Sequence, residues 1–463
     1  MPAAPESVDL LVRADYLYPM SDGAPVIAGG EVAIRAGRIV HAGPARPAGN
    51  WNAGTVIDGV GKAVLPGFVN CHSHAASLVF RSQSDDGAGG AALYTVAFRM
   101  EKEIGADEWA DLARLGCADM LRAGITTIND IWYAPDRLAE TVDECGLRAL
   151  IANKVFDVAL ENLHRGDYTR IPGRGEQRLA DGVAFAKAWH GKAGGRITAR
   201  LGTHASDTCD AGLHREARAE ATRLGLGMHI HTAQSRQEAE HIRARHGCGP
   251  LEYLRDIGLL SPDVVCAHLT FASDGDLAAV AETGAAYAHC PIIYPRRGVY
   301  PRLREIVARG INTGFATDWM QNDPFEGMRN ALNAVRVIAG DHRALTCREA
   351  LWRHTMGAAK ALGLDREIGS LEPGKKADLV MVDLDRPHLQ PFYGDYPALV
   401  YYARASDVVT SVIDGRIVMR DGRLTRLDEA GALAGVQRHI TRWRGLLRAL
   451  GSDAAGPDGP CNC

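Results

Sequence analysis

Short apolar runs recur through the middle of the chain, and most are separated by stretches whose apolar residues repeat at helical spacing. Helices are predicted over 106–122, 213–224 and 274–283. Eight apolar runs predict strands, at 65–74, 124–130, 147–153, 197–202, 227–231, 264–268, 285–290 and 311–316. Eight strands with interleaved helices favour an α/β fold of the (β/α)8 TIM-barrel type.

Both ends of the chain read differently, as short strands separated by turns. Strands are predicted at 8–12, 31–35, 38–43 and 56–58, and again at 377–383, 408–413 and 416–419. We expect the two ends to meet in one small β-sandwich. The predicted units are 1–65 and 366–425 for the sandwich, 66–365 for the barrel, and 426–463 for a C-terminal helix (427–449) and a disordered tail.

Polar residues follow the apolar core of many barrel strands. His72 and His74 are two residues apart in a predicted strand, so their side chains point the same way and suit two ligands of one metal ion. Taken alone, this pair could be incidental. The residues at the other strand ends are His204, His231, His268, His289 and Asp318. Because the active site of such a barrel lies at the C-terminal ends of its strands, the whole set predicts a functional site there.

The composition of the 463 residues is that of an ordinary globular protein. A net charge of −4 gives no support to a nucleic-acid or anionic-membrane partner. No apolar run approaches the ~18 residues of a membrane helix, and the first residues lack a signal-peptide pattern. Ten scattered cysteines are typical of reduced thiols, and Cys461 and Cys463 lie in a tail that is either frayed or metal-binding. We expect a cytoplasmic homo-oligomer.

Six segments, in order along the chain, carry a resemblance to a known family. They are Pro66 to His74, His229-Ile230-His231, Ala267-His268, His289-Cys290-Pro291, Gly314 to Asp318, and Gly369 to Asp378. Together they resemble the amidohydrolase superfamily, in the branch that holds cytosine deaminase, methylthioadenosine deaminase and triazine hydrolases. The resemblance covers nearly the whole chain and agrees with the predicted barrel.

The resemblance implies one divalent metal ion, held by His72, His74, His231 and Asp318. Three imidazoles and a carboxylate suit zinc, and also iron, manganese or cobalt. Asp318 would accept the proton of an activated water, and His268 would orient that water or stabilise an oxyanion. The fourth strand ends without the lysine that bridges two metals in some relatives, so we expect one ion.

Substrate contacts are predicted at His204, Gln234 and His289. A purely structural role for His204 stays open. The deaminases have glutamate where this chain has Gln234, and an amide cannot titrate. This favours hydrolysis of a C–N or similar acyl bond in a small amide, urea or thiocarbamate-like molecule, such as a xenobiotic. The alternatives are an aminohydrolase or dechlorinase acting on an N-heterocycle, in which glutamine is tolerated, and an inactive scaffold.

Apolar residues near the seventh and eighth strand ends predict the character of the pocket. Residues 291–295 replace the Pro-x-Ser-Asn of purine and triazine enzymes, and aromatic or apolar side chains stand at Tyr94, Phe98, Trp319, Met320 and Phe325. If several line the pocket, the substrate has an apolar or aromatic body, as in phenylurea hydrolases and molinate hydrolase, which the chain resembles in layout. The glycine-rich stretch 81–90 is either a lid or a plain surface loop.

Overall fold

The computed structural model describes residues 5–81 and 92–454. The chain begins with five strands, β1 (Glu6–Leu17), β2 (Ile27–Arg35), β3 (Arg38–Pro44), β4 (Trp51–Ile57) and β5 (Lys62–Pro66). β1 pairs antiparallel with β2 and parallel with β4 and β5. The predicted strands of this region are therefore present, and most are longer in the structure than the sequence predicts.

The next eight strands form the barrel. They are β6 (Phe68–Ser73), β7 (Ile125–Trp132), β8 (Arg148–Val155), β9 (Ile197–Thr203), β10 (Met228–Thr232), β11 (Val264–His268), β12 (Ala286–His289) and β13 (Thr313–Phe315). All neighbours pair in parallel in sequence order. A parallel bridge between Ser73 and Asp318 joins the two outer strands. The predicted TIM barrel is confirmed.

Helices surround the barrel strands. They are α1 (Phe98–Glu101), α2 (Ala106–Arg122), α3 (Pro135–Cys145), α4 (Arg174–Trp189), α5 (Lys192–Gly195), α6 (Ala211–Leu224), α7 (Arg236–His246), α8 (Pro250–Asp256), α9 (Asp274–Thr283), α10 (Ile293–Arg296), α11 (Leu303–Ala308), α12 (Pro324–Ala339), α13 (Cys347–Arg353) and α14 (Met356–Ala361). A π-helical turn, Leu93–Ala97, precedes α1. Side-chain caps define several helix starts, as at α6, where Asp210 accepts the Leu213 N–H.

The chain then returns to the terminal sheet through β14 (Leu379–Asp383), helix α15 (Tyr396–Tyr402), β15 (Val408–Ile413), β16 (Arg416–Arg420) and β17 (Arg423–Leu424). β14 pairs antiparallel with β5, which joins the strands of both chain ends in one nine-stranded sheet. Buried apolar residues of β1, β2, β5 and β14 form a core separate from that of the barrel. The two ends meet, as the sequence predicts.

The C-terminal region is helical as predicted, but as two helices, α16 (Glu429–Gln437) and α17 (Ile440–Ala454). Within the described residues, no helix is both long and apolar enough to cross a bilayer. The glycine-rich stretch 81–90 beyond Arg81, predicted as either a lid or a plain surface loop, and the tail with Cys461 and Cys463 lie outside the described residues.

Parallel order has one consequence for function. Because all eight barrel strands run in the same direction, their C-terminal ends form a single rim. The strands are buried along nearly their whole length. A polar side chain at a strand end therefore either faces the barrel mouth or needs a hydrogen-bond partner in the protein interior.

Candidate active site

Three strand ends bring the four predicted metal ligands to the barrel mouth. His72 is in β6 and His74 follows it, His231 is in β10, and Asp318 follows β13. The Asp318 N–H donates to the His72 carbonyl at 3.0 Å, and the His74 N–H donates to the Asp318 carbonyl at 3.2 Å. The first and last barrel strands are thus closed by the same residues whose side chains meet inside.

The distances among the side-chain atoms suit a single ion. Asp318 Oδ1 lies 3.4 Å from His72 Nε2 and 3.6 Å from His74 Nε2, and His74 Nε2 lies 3.3 Å from His231 Nε2. Donor atoms about 2.1 Å from a tetrahedral ion lie roughly 3.4 Å apart. The four side chains therefore enclose a space of the right size for a divalent metal.

Hydrogen bonds orient all three imidazoles towards that space. The Nδ1 atoms of His72, His74 and His231 contact His229 Nε2 at 2.8 Å, the Ile131 carbonyl at 2.9 Å and the His204 carbonyl at 2.6 Å. With Nδ1 occupied, each ring presents Nε2 as the free nitrogen, which is the usual arrangement around a metal-ligating histidine.

The electrostatics agree with a metal-binding role. His72 Nε2 is buried and has no hydrogen-bond partner among the described residues. Burial and the neighbouring imidazoles hold the pKa values of His74 and His231 well below the usual range, so these rings are neutral near pH 7. Neutral imidazole is the form that binds metals, and the residues present fit the ion.

Asp318 and His268 are held in an uncommon backbone conformation. Their φ angles are +65° and +84°, in the left-handed region that residues other than glycine seldom adopt. Asn70 holds the segment before Asp318, since its side chain donates to Thr317 Oγ1 at 2.7 Å and accepts from the Thr317 N–H at 3.0 Å. His268 Nδ1, which is buried and has no hydrogen-bond partner in the described part of the chain, lies 3.9 Å from Asp318 Oδ2.

A cavity of about 390 Å³ opens beside these residues. The predicted residues on its wall are His74, Phe98, His204, His231, Gln234, His268, Asp318 and Trp319. The other lining residues are Leu93, Glu101, Trp132, Lys154, Tyr294 and Arg297.

Two of the predicted substrate residues lie on this wall. His204 is buried, and its Nδ1 contacts Thr208 Oγ1 at 3.0 Å. Gln234 follows β10, with its backbone N–H donating to Glu238 at 2.8 Å and its carbonyl accepting from the Tyr294 hydroxyl at 3.1 Å. The segment that carries Gln234 is therefore anchored on both sides.

His289 is not on the cavity wall. It is fully buried, and both of its ring nitrogens contact tyrosine hydroxyls, those of Tyr287 at 2.8 Å and Tyr300 at 2.7 Å. A ring with both nitrogens occupied has none left for a ligand. The aromatic and apolar residues divide in the same way, since Tyr94, Met320 and Phe325 are buried but are not among the lining residues.

Three charged lining residues were not predicted from the sequence. Lys154 Nζ donates to Glu101 Oε2 at 2.7 Å, and both side chains are almost fully buried. The Tyr133 hydroxyl donates to the same oxygen, and Lys154 lies over the rings of Phe98, Trp132 and Tyr133. Burial lowers the pKa of Lys154, and the carboxylate of Glu101 opposes that effect.

The third is Arg297, which follows α10. The sequence carries a weak signal for only one of these three residues, Lys154. Lys154 comes directly after the predicted strand 147–153, at the same rim as the histidines. Arg297 lies in a Pro-Arg-Arg-Gly turn, and Glu101 lies in a charged helical stretch, so both read as solvent-exposed from the sequence alone.

Comparisons with known proteins agree with this geometry. The model of the amidohydrolase family matches residues 63–418. The chain is 35% identical over 442 residues to a 5-methylthioadenosine/S-adenosylhomocysteine deaminase of Desulforudis audaxviator (strain MP104C), covering 94% of this chain and 98% of that protein. It is 33% identical over 436 residues to a 5'-deoxyadenosine deaminase of Methanosarcina mazei, covering 93% and 97% of the two chains.

Solved structures show the same architecture. An adenosine deaminase from Xanthomonas campestris with bound zinc superposes with a TM-score of 0.87 at 27% identity, covering 95% of this chain and all of that one. An atrazine chlorohydrolase from Arthrobacter aurescens TC1 complexed with zinc gives 0.80 at 21% identity with the same coverage, which shows a shared fold. The chain belongs to the amidohydrolase family, as a metal-dependent hydrolase of carbon–nitrogen bonds other than peptide bonds.

Proposed function

We propose that the chain is an aminohydrolase that uses one divalent metal ion, zinc in the first place, to deaminate an amino-substituted N-heterocycle. The observation that carries the proposal is the convergence of three Nε2 atoms and Asp318 Oδ1 beside a small cavity. Relatives with deaminase activities in their names, over 30% identical across nearly the whole chain, support the heterocycle. This reverses the order predicted from the sequence, in which amide, urea or carbamate hydrolysis came first.

The chain's own residues divide the work. His72, His74, His231 and Asp318 would hold the ion, which acts as a Lewis acid and lowers the pKa of a water molecule towards about 7. Asp318 Oδ2 is placed to take the proton of that water. His268 faces the same carboxylate at 3.9 Å and orients the water or stabilises negative charge on the substrate.

One ion suffices for this arrangement. The end of β9 itself carries Thr203 and His204 and no lysine. The lysine at the mouth is Lys154 of β8, and its ammonium group is engaged with Glu101. His204 and Gln234 would contact the substrate, because both line the cavity next to the ligands.

A second candidate function is hydrolysis of an acyl C–N bond in a small amide, urea or thiocarbamate. The observation that favours it is Gln234 on the cavity wall. A ring deamination needs a proton on a ring nitrogen, and a glutamine side chain cannot supply one by titration. Hydrolysis at an exocyclic carbonyl needs only the transfer of the water proton to the leaving nitrogen, which Asp318 can perform.

A substrate panel separates the two candidates. Protein loaded with zinc is incubated with adenosine, 5'-deoxyadenosine and 5-methylthioadenosine, and separately with an N-aryl urea and a thiocarbamate. The proposal expects ammonia from the adenine compounds. Release of an aliphatic or aromatic amine from the second group alone would replace it by the second candidate. No product from either group, with stoichiometric metal bound, would contradict both.

Substitution of Gln234 by glutamate tests the proton argument directly. General acid–base catalysis contributes about 10²–10⁴-fold, so we expect Q234E to gain about 10²-fold or more in heterocycle deamination while acyl hydrolysis is unchanged. Gln437→Glu, at an exposed position in the last turn of α16, is the matched control and changes neither rate. An unchanged deamination rate in Q234E would mean that another group already supplies the proton.

A further inference from the structure

Among the described residues on the cavity wall, one cation has no counter-charge. Lys154 is paired with Glu101 at 2.7 Å. Asp318 faces the three imidazoles and would neutralise part of the charge of a divalent ion held there. The remaining charged residue in the described lining is Arg297, so these side chains together with a divalent ion sum to a net positive charge.

Arg297 is held at the wall by its own segment. Its backbone N–H donates to the Tyr294 carbonyl at 2.9 Å, and its Cζ lies 5.7 Å from the centre of the Tyr294 ring. Tyr294 is buried and donates its hydroxyl hydrogen to the Gln234 carbonyl at 3.1 Å. Through Tyr294, the guanidinium group is thus connected to the end of β10, which carries Gln234.

The guanidinium group is only partly satisfied. Arg297 as a residue is half-buried, but its Nη2 atom is fully buried and has no hydrogen-bond partner among residues 5–81 and 92–454. A buried donor without an acceptor costs free energy, and the cost is larger for a charged group. A guanidinium group matches the geometry of a carboxylate or phosphate better than any other side chain does.

We infer that Arg297 binds an oxyanion, a carboxylate or a phosphate, carried by the substrate. The oxyanion end would lie on the β11 and β12 side of the mouth, because the Tyr294 ring packs edge-on against His268 at the end of β11, with centroids 5.5 Å apart. The inference rests on the proposed function for the heterocycle that carries this group, and it adds a charged group to the apolar or aromatic substrate body expected from the sequence. Arg297 is then a specificity-determining residue, and the reacting atoms lie elsewhere.

The test compares three adenine compounds with different tails. The probes are 5-methylthioadenosine, which is neutral, S-adenosylhomocysteine, which bears a carboxylate, and adenosine 5'-monophosphate, which bears a phosphate. For the zinc-loaded wild type we expect a lower KM for one of the two oxyanion compounds than for the neutral one, and which of the two it is identifies the anion. Arg297→Met should raise that KM by about 10- to 100-fold with kcat nearly unchanged, and should leave the neutral compound unaffected.

Two further variants sharpen the result. Arg297→Lys keeps the charge without the planar fork and should recover part of the preference. Arg304→Met removes an exposed guanidinium of α11 from outside the cavity and should change nothing. An equal loss on neutral and anionic compounds in R297M, or a loss confined to kcat, would overturn the inference, because Arg297 would then act at the reacting centre.

The same ligands separate this inference from the proposed function. If no adenine compound is turned over, calorimetric binding of the three probes to the zinc-loaded protein still measures the contribution of Arg297. Tighter binding of an oxyanion compound, lost in R297M, supports the inference while the deaminase proposal fails. Equal affinity for all three probes in the wild type overturns the inference whatever the reaction.

Discussion

The two sides of the cavity are built in different ways. On the metal side, the Nδ1 atoms of His72, His74 and His231 contact a neighbouring histidine or backbone carbonyls. On the substrate side, the polar wall consists of the ion pair of Lys154 with Glu101, the Gln234 amide and the Arg297 guanidinium. One side is organised by the barrel's backbone, and the other by side chains from separate segments.

The difference teaches which part of the site can vary. The metal side depends on strand ends that also close the barrel, through the backbone bonds between His72, His74 and Asp318. A change there alters both ion binding and local backbone geometry. The substrate side depends on charge pairing across segments, so substitution there can change specificity while the chemistry remains. Three predictions test this division.

The largest effect is expected on the metal side. Asp318→Asn removes the negative charge of the ligand set and the proton acceptor together, so we expect loss of the ion and a fall in kcat of at least about 10³-fold. The fold should hold, because asparagine also tolerates the left-handed φ of +65° and keeps both backbone hydrogen bonds. Metal content by elemental analysis, kcat and the unfolding midpoint measure the three effects.

His72→Ala should give the same loss of ion and activity, and His342→Ala, at an exposed position, is the matched control. If D318N retained one ion per chain together with wild-type activity, Asp318 would be neither ligand nor base. The metal side would then have to be redrawn around His268 and Cys290, whose side chains lie near those of His72 and Asp318.

On the substrate side, the largest effect is expected on stability. Lys154→Met leaves the buried carboxylate of Glu101 without its cation, and breaking a buried ion pair from one side costs about 3–5 kcal/mol. The double variant Lys154→Met with Glu101→Gln removes both charges and should cost less than the single change. The measurement is the free energy of unfolding in urea of the zinc-loaded protein.

The exposed pair of Arg223 and Glu220 is the control, and Arg223→Met should leave the unfolding free energy nearly unchanged. If the single and double changes at Lys154 and Glu101 were additive, the two charges would not stabilise each other. The pair would then have to be held for contact with a ligand, and the division between the two sides would be weaker than the geometry indicates.

The sequence predicts the metal side well and the substrate side poorly, for a physical reason. His72, His74, His231, His268 and Asp318 each follow an apolar strand core, so the periodicity that predicts the strands also places these side chains at one rim. The same rule placed His289 at the rim, but tyrosines occupy both of its ring nitrogens, and no spacing rule shows a tertiary hydrogen bond.

The missed residues depend on contacts between distant segments. Glu101, at the end of α1, and Lys154, near the end of β8, are 53 positions apart, and only the tertiary fold brings their side chains together. Arg297 reaches the cavity wall through the turn after the short helix α10. Its distance along the chain from β12 does not predict that its side chain faces the barrel mouth. A charged residue in such a stretch is normally solvent-exposed, so the sequence indicates an exposed position where the structure has a half-buried one.

The smallest effect is expected at His229, which supports the metal side from behind. His229→Phe keeps a buried ring of similar size but removes the contact with His72 Nδ1 at 2.8 Å. Partners of this kind orient the ligand, and their loss typically weakens metal binding by about 10–100-fold. We expect a weaker zinc affinity, measured by competition with a chelator, and a kcat that excess zinc restores, because none of the four ligands has changed.

The matched control is His354→Phe, at a buried histidine that packs against Phe68 and Phe315. If H229F lost kcat that excess zinc could not restore, His229 would take part in the reaction and would not simply orient His72. An unchanged affinity would mean that the backbone alone fixes the ligand rings.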